Sequence, residues 1–345
     1  MKIVVLNTSV PFLRGGAEHL ADNLVAELRK RGHATEHVKV PLRWHSPLAI
    51  SQSMFAAATL MMPEAELLIP LKFPAYLVPH QNKVPWLLHQ FRQVYELWGT
   101  PYQDVPNTPE GEALRQSIHE ADNHAFRQAR KIFTNSAVTR KRLKTHNGFD
   151  SQVLHAPLGD PGSFRSGEYG DYLLAIGRVS GGKRQALLAE AMAHSRSSLR
   201  LVIAGSPETP GELTKIQDVI ARHDLQDRIT LIPRFISDEE KIELISGARA
   251  VAYLPVDEDS YGYVTAEAML AERPVLSTDD AGGVLELVKD GVSGHVAEPS
   301  AESLAEKIDL LAASADDARR LGRAGKRLVE KMNLSWDNVI ERLTS

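Results

Sequence analysis

Three short stretches carry residues able to handle a phosphorylated ligand. The first is Gly177-Arg178-Val179-Ser180-Gly181-Gly182-Lys183-Arg184. It nearly spells the phosphate loop G-x-x-x-x-G-K-[ST], but Arg184 stands where a hydroxyl would ligate Mg²⁺. What survives is a metal-free phosphate site. Arg178 offers a planar fork for two parallel hydrogen bonds, and Lys183 adds a point charge. Two fixed cations can stabilise a departing diphosphate as its charge grows, a task that elsewhere falls to a divalent ion. The plain alternative is a solvated basic loop. Cations flanking glycines just past an apolar run favour binding.

The second stretch is Leu254-Pro255-Val256-Asp257-Glu258-Asp259-Ser260-Tyr261-Gly262-Tyr263-Val264-Thr265-Ala266-Glu267. It follows an apolar run and leads into a helical pattern. Asp259 and Glu267 have seven residues between them, one in the loop and one in the first turns of the helix. Amides near Ser260, Tyr261, Gly262 and Tyr263 are free donors at a helix start, and Gly262 permits close approach of the backbone. A carboxylate is the natural acceptor for a vicinal diol such as ribose. For Asp257 and Glu258 the expected role is only to complement the helix dipole. Glu267 sits among Ala, Met and Leu, where a charge needs a partner.

The third stretch, Leu13-Arg14-Gly15-Gly16-Ala17-Glu18, lies between an apolar run and a helical pattern. Gly15 and Gly16 let the backbone approach a ligand, and the helix start offers N–H groups to an anion. The spacing is not G-x-G-x-x-G, and a tight strand–helix turn explains it equally well.

Other chemistries fit less well. A kinase of the phosphate-loop type needs a hydroxyl at position 184. His119-Glu120-Ala121-Asp122-Asn123-His124 resembles H-E-x-x-H with the second His one position late, off the required helix face. These residues read as an exposed polar helix, and no metal site is expected. Phe91, Tyr95, Trp98 and Trp86 cluster near His89. They are read mainly as core, with a sugar platform as the minority alternative.

The elements that must position these residues alternate. Strand-like runs at Lys2–Asn7, Leu67–Pro70, Trp86–His89 and 131–135 are separated by helical spacing, the first of it stopping at Gly32. A second alternating block begins near Tyr172, with runs at 172–177, 199–205, 228–232, 249–254 and 274–277. Ser237-Asp238-Glu239-Glu240 has capping-box spacing and opens a helix. Residues 41–65 and 91–116 give no clear pattern. Pro and Gly concentrate at 156–170, the expected linker. Alternation of this kind makes parallel α/β layers, which bind ligands beyond the strand C-termini.

Composition sets the outer bounds. A chain of 345 residues suggests about two domains. A formal charge of −4 argues against a protein that wraps nucleic acid. With no Cys, disulfides and thiol nucleophiles are excluded, and a reducing cytoplasm fits. The apolar run at the start is too short for a signal-peptide core, and no run approaches a membrane span, so membrane contact is at most peripheral.

The order Gly15-Gly16-Ala17-Glu18, Gly177-Arg178 with Lys183, Asp259-x7-Glu267-Ala-Met, Pro274-Val275, then Gly282-Gly283 and Glu286 resembles the large family of retaining GT-B glycosyltransferases. That family includes bacterial cell-surface polysaccharide transferases and mannosyltransferases. The resemblance is strongest from about Tyr172 to Pro299. It implies two Rossmann-like, doubly wound parallel-sheet domains facing a central cleft. Residues 1–160 would bind an acceptor and 161–332 a nucleotide-sugar donor, with 333–345 a helix packing back on the first domain. It further implies a UDP- or GDP-linked donor, a carbohydrate or lipid-linked acceptor, no cofactor, and a cytoplasmic location that extends at most to the inner face of the membrane. Arg178 and Lys183 would hold the diphosphate, Glu267 the ribose and Asp259 the transferred sugar. Gly15 and Gly16 would line the diphosphate site, and His89 would stand near the reacting sugar. Asp at 259, Ser260 and Tyr263 depart from the usual Glu, Gly and aliphatic residue, which bears on the identity of the sugar. A nucleotide-sugar epimerase and a non-catalytic sugar-nucleotide binder are the alternatives.

Overall fold

The computed structural model describes residues 1–10, 15–100 and 102–345. Two compact units divide the chain: Met1–Pro157 joined by Leu334–Ser345, and Leu158–Asn333. The boundary falls within the Pro- and Gly-rich stretch.

The first unit runs β1 (Lys2–Ser9), α1 (Gly16–Lys30), β2 (Ala34–Pro41), α2 (Pro47–Ala58), β3 (Leu67–Pro70), β4 (Trp86–Leu87), α3 (Pro109–Arg127), β5 (Phe133–Thr134), α4 (Ala137–Asn147) and β6 (Gln152–Val153). Its strands form parallel sheets of order β2-β1-β3 and β4-β5-β6. Parallel bridges Leu68–Lys83 and Lys72–His89 stitch the two together. β2 escapes notice in the sequence because Thr35, Glu36, His37 and Lys39 interrupt its apolar positions. α2 lies in the first of the two stretches without clear pattern, and α3 begins in the second. Both open on an N-cap hydroxyl followed by Pro, Ser46-Pro47 and Thr108-Pro109.

The second unit runs β7 (Tyr172–Ile176), α5 (Gln185–His194), β8 (Arg200–Ala204), α6 (Pro210–Arg222), β9 (Ile229–Ile232), α7 (Asp238–Gly247), β10 (Ala250–Ala252), α8 (Tyr263–Leu270), β11 (Val275–Thr278), β12 (Gly294–Ala297), α9 (Ala301–Ala313) and α10 (Ala315–Lys331). As the capping-box spacing predicts, Ser237 Oγ accepts from the Glu240 amide at 3.2 Å and opens α7. The single sheet is all parallel, of order β12-β11-β10-β7-β8-β9. Strand order therefore reverses between β7 and β10. At such a reversal the following loops diverge to opposite faces and leave a crevice. The expected class, doubly wound parallel α/β in both halves, is what the chain adopts.

α11 (Trp336–Thr344) belongs to the first unit. Trp336 meets Trp86 edge-on at 6.4 Å. Asp337 pairs with Arg31, and the Arg342 guanidinium lies over Phe133 at 5.1 Å.

The helix read as an exposed polar segment is not one. Asp122 on α3 is fully buried and accepts hydrogen bonds from Tyr76 at 2.9 Å and Tyr95 at 2.8 Å. His119 stacks on Tyr95 at 4.2 Å. Polar residue types do not reveal a polar face turned inward when the partners that satisfy it are distant in sequence. Burial pushes the Asp122 carboxyl up to about 7, against the tyrosine hydrogen bonds that favour its ionised form. An acid raised in this way holds its proton more tightly folded than unfolded, so its contribution to stability declines as pH rises from about 4 to about 7. Against Asp122→Asn, the wild type is expected to gain on the order of 2–4 kcal/mol of relative stability between about pH 8 and about pH 5. Paired urea titrations check this; a gap independent of pH overturns it.

Candidate functional site

In the second unit both loops at the strand reversal carry the singled-out residues. After β7, Gly177 adopts φ +127°, and its carbonyl packs so closely on Gly205 that a Cβ there would lie 1.9 Å from it. Lys183 ends a short turn, and Arg184 follows in the left-handed region at φ 55° as the N-cap of α5. That strained residue is a joint. Its guanidinium donates to the carbonyls of Leu254 and Pro255, each at 2.8 Å, to Thr278 Oγ1 at 2.7 Å and to both oxygens of Asp280. Burial would raise the Asp280 carboxyl, but Arg184 and Thr278 outweigh it and hold it below the usual range. One side chain thus fixes the β7 loop to the ends of β10 and β11.

Lys183 is 29% exposed and donates to Tyr253 Oη at 2.6 Å. It also pairs with Glu258, and Tyr253 donates to the same carboxylate at 2.8 Å. The Tyr253 phenol is pushed well up by burial and by Glu258, so it stays protonated and able to donate. Its ring lies against Gly262, where φ is 69° and a Cβ would fall 2.4 Å from a ring carbon. Arg178 points outward: it is 56% exposed and pairs with Glu208 at 3.1 Å. Its charge still reaches Tyr253, as does that of Asp259.

Glu258 is thus not a helix-dipole acid. α8 begins at Tyr263 and has no acid in its first turn. The amides of Asp257 and Glu258 bond to the carbonyls of Asp280 and Ala281, and that of Gly283 to the Glu258 carbonyl. The left-handed Gly282 and its neighbour Gly283 lie so close to Glu258 and Ser260 that no side chain fits. This threading holds 257–260 beside Lys183. Tyr261 is buried and meets the Tyr263 ring at 90° and 6.3 Å.

Glu267 lies one helical turn into α8 and is 7% exposed. Lys241 on α7 donates to its Oε1 at 2.9 Å. Its Oε2 is buried with no partner, and so is Thr265 Oγ1. Burial raises the carboxyl and Lys241 opposes this.

The first unit has a corresponding cluster beyond β1, β3 and β4. Gly15 caps α1 in extended backbone, and its amide donates to Glu18 Oε2 at 2.8 Å. Glu18 also accepts from Lys72 at 3.0 Å. Burial would raise the Glu18 carboxyl, but Lys72 and the Gly15 amide hold it low. Gly16 begins α1. Leu13 and Arg14 lie outside the described residues. His89 bridges Lys72 through the backbone, and its Nδ1 lies 2.7 Å from the Gln90 carbonyl. Around it, Trp86 and Tyr95 are buried core, and Phe91 and Trp98 pack against that core. The sugar-platform alternative therefore finds no support in Trp86 or Tyr95. Among the described residues no three His, Asp or Glu side chains gather as metal ligands, and no helix is long and apolar enough to cross a membrane.

Five contributors escaped the sequence. Tyr253 and Lys72 lie just past the ends of β10 and β3, Glu258 lies one position outside the x7 spacing, and Lys241 and Thr265 sit on helices. Only strand-end position marks the first two in advance.

Residues 162–328 match the family described as glycosyl transferases, group 1. The match covers the whole reversal site just described. Over 172 residues the chain is 28% identical to an alpha-1,3/1,6-mannosyltransferase of Homo sapiens, covering 46% of this chain and 41% of that one. The chain spans about half the length, or less, of the curated relatives it matches first. Among solved structures, Anabaena HepE in complex with UDP superposes with TM-score 0.74 at 18% identity, covering all of both chains. WaaG, a glycosyltransferase involved in lipopolysaccharide biosynthesis, gives 0.75 at 16%, again over both full chains. At such identities the likeness establishes the fold, that of GT-B glycosyltransferases with two Rossmann-like domains.

Arg184→Met removes the joint and its bonds to two carbonyls, to Thr278 and to Asp280, whose carboxylate is 41% exposed and can turn to water. The expected loss is about 1–3 kcal/mol of unfolding free energy. Arg184→Lys should recover little, because one ammonium cannot span those acceptors. Urea unfolding monitored by tryptophan fluorescence measures both.

Proposed function

We propose that the protein is a retaining, metal-independent glycosyltransferase. It moves a hexose from a UDP- or GDP-linked donor to a carbohydrate or lipid-linked acceptor, in cell-surface polysaccharide or glycoconjugate synthesis. The second unit takes the donor and the first the acceptor. The reaction runs in the cytoplasm, at most peripherally at the inner face of the membrane.

One observation carries the reading. At the strand reversal of the second unit, a lysine fixed on the β7 loop faces the β10 loop, and a buried carboxylate with one unbonded oxygen stands on the helix that follows. The match to group 1 glycosyl transferases over this segment supports it, as does the UDP bound by a protein of the same fold.

The donor's C1–O bond to the diphosphate breaks through an oxocarbenium-like transition state. The acceptor hydroxyl forms the new C1–O bond on the same face, and its proton passes to the departing phosphate. Lys183 and Arg178 stabilise the growing charge, Arg178 by turning from Glu208 to the phosphate. The amides at the start of α8 add donors that need no reorganisation. Asp259 and His89 contact the transferred sugar, Gly15 and Gly16 line the diphosphate site, and Gly177, Ser260, Tyr261, Gly262 and Tyr263 shape the donor site. Glu267 accepts from the ribose.

Lys183→Ala is expected to lower kcat on the order of 10²–10³-fold. UDP- and GDP-sugars are screened by thermal shift, then assayed for transfer and hydrolysis with and without EDTA. Transfer that persists in EDTA supports the reading. Activity abolished by EDTA, or an unchanged rate in Lys183→Ala, overturns it. Donor conversion without acceptor would mark an epimerase, and binding without turnover a carrier.

A further inference from the structure

We infer that Lys241 on α7 is a positioning residue for nucleoside recognition, locking one oxygen of Glu267 so that the other is presented to a ribose hydroxyl. The inference deepens the proposed donor site and rests on it. Three observations lead there. The Glu267 carboxylate is almost fully buried, a costly place for a charge unless it is paired. Its pairing is one-sided: Lys241 occupies Oε1 at 2.9 Å, while Oε2 is buried with no hydrogen bond. Thr265, two residues earlier on the same helix, likewise buries a hydroxyl without a partner. An unpartnered ionised oxygen costs more than a neutral one, so a diol hydroxyl that reaches it recovers a charge-assisted bond.

Lys241 is itself fixed. Its ammonium lies 3.2 Å from Asp238 Oδ1 and 5.6 Å above the Phe164 ring. Burial would lower its pKa, but Glu267 and Asp238 outweigh burial and raise it, so the cation persists. Without it, Glu267 would lose the charge that opposes its burial and would take up a proton. It would also be free to rotate about its last bond. Either change weakens the acceptor at Oε2 and leaves the phosphate contacts untouched. The effect should therefore appear in ribose recognition and not in pyrophosphate affinity.

The test uses the full chain and three probes: UDP or GDP, whichever binds the wild type, its 2′,3′-dideoxy analogue, and inorganic pyrophosphate. The wild type should prefer the ribonucleotide about 10- to 100-fold, the worth of one charged hydrogen bond. Lys241→Met should reduce that preference to within about threefold of unity with pyrophosphate affinity unchanged, and Lys241→Arg should restore most of it. Lys241→Ala serves if the Met variant does not fold. Retention of the full ribose preference by Lys241→Met or Lys241→Ala overturns the inference. Equal loss for all three probes also overturns it, because that marks a general structural role. Glu267→Gln separates the two levels: if it loses the preference while the Lys241 variants keep it, the donor site stands and only the role of Lys241 falls. If the wild type itself shows no preference, the donor-site reading falls and this inference with it.

Discussion

The second unit hangs on the guanidinium of Arg184. The strand reversal between β7 and β10 opens a crevice because the loops on either side leave in opposite directions. A backbone bond from the Val256 amide to the Gly182 carbonyl joins them. Arg184 adds to it by bonding to two carbonyls of the β10 loop and to a hydroxyl and a carboxylate at the end of β11 and just past it. Its left-handed backbone costs on the order of 1 kcal/mol, a debt the surrounding bonds outweigh. With this joint in place the preceding residue, Lys183, faces the 253–258 segment. The residue that spoils the phosphate-loop pattern is therefore what builds the site.

The same region handles its charges in two ways. Lys183 and Arg178 each hold an internal acid, Glu258 and Glu208. In the proposed donor site a phosphate would exchange one anion for another, which would conserve the local charge balance and moderate affinity. Glu267 is half-paired instead, with one oxygen on Lys241 and the other buried and unbonded. The first arrangement suits a group that must arrive and leave as its charge changes. The second suits a neutral hydroxyl that has only to be recognised.

The first unit treats buried charge differently again. Burial raises the Asp122 carboxyl to about 7, while two phenols donate to it and favour its ionised form. Lys83 is buried against the carbonyls of Tyr76 and Val78, and burial lowers its ammonium to about 8. Both brace the segment 73–83, which follows β3 and Lys72 just past it. Tyr76 and Tyr95, which both donate to Asp122 Oδ2, are also core residues. Polar specification and apolar packing are therefore served by the same side chains.

Local pattern determined much of this protein. Apolar runs of five or so residues mark β1, β3 and β7 to β11 because buried parallel strands need continuous hydrophobicity. The capping-box spacing marks α7, and the glycines at 177 and 262 mark turns whose backbone no other residue adopts without strain. The phosphate-loop pattern and the x7 spacing also brought Lys183 and Glu267 forward from sequence alone. Tertiary structure decided the rest. It chose Glu258 rather than its neighbours as the acid on Lys183, and turned Asp122 inward. It gave Arg184 a structural role, brought Lys241 to Glu267 across two helices, and placed Lys72 on Glu18. Each is a contact between residues 26 to 96 positions apart. Spacing along the chain constrains neighbours through backbone geometry, but places no constraint on which distant side chains meet; only the packing of whole elements does that.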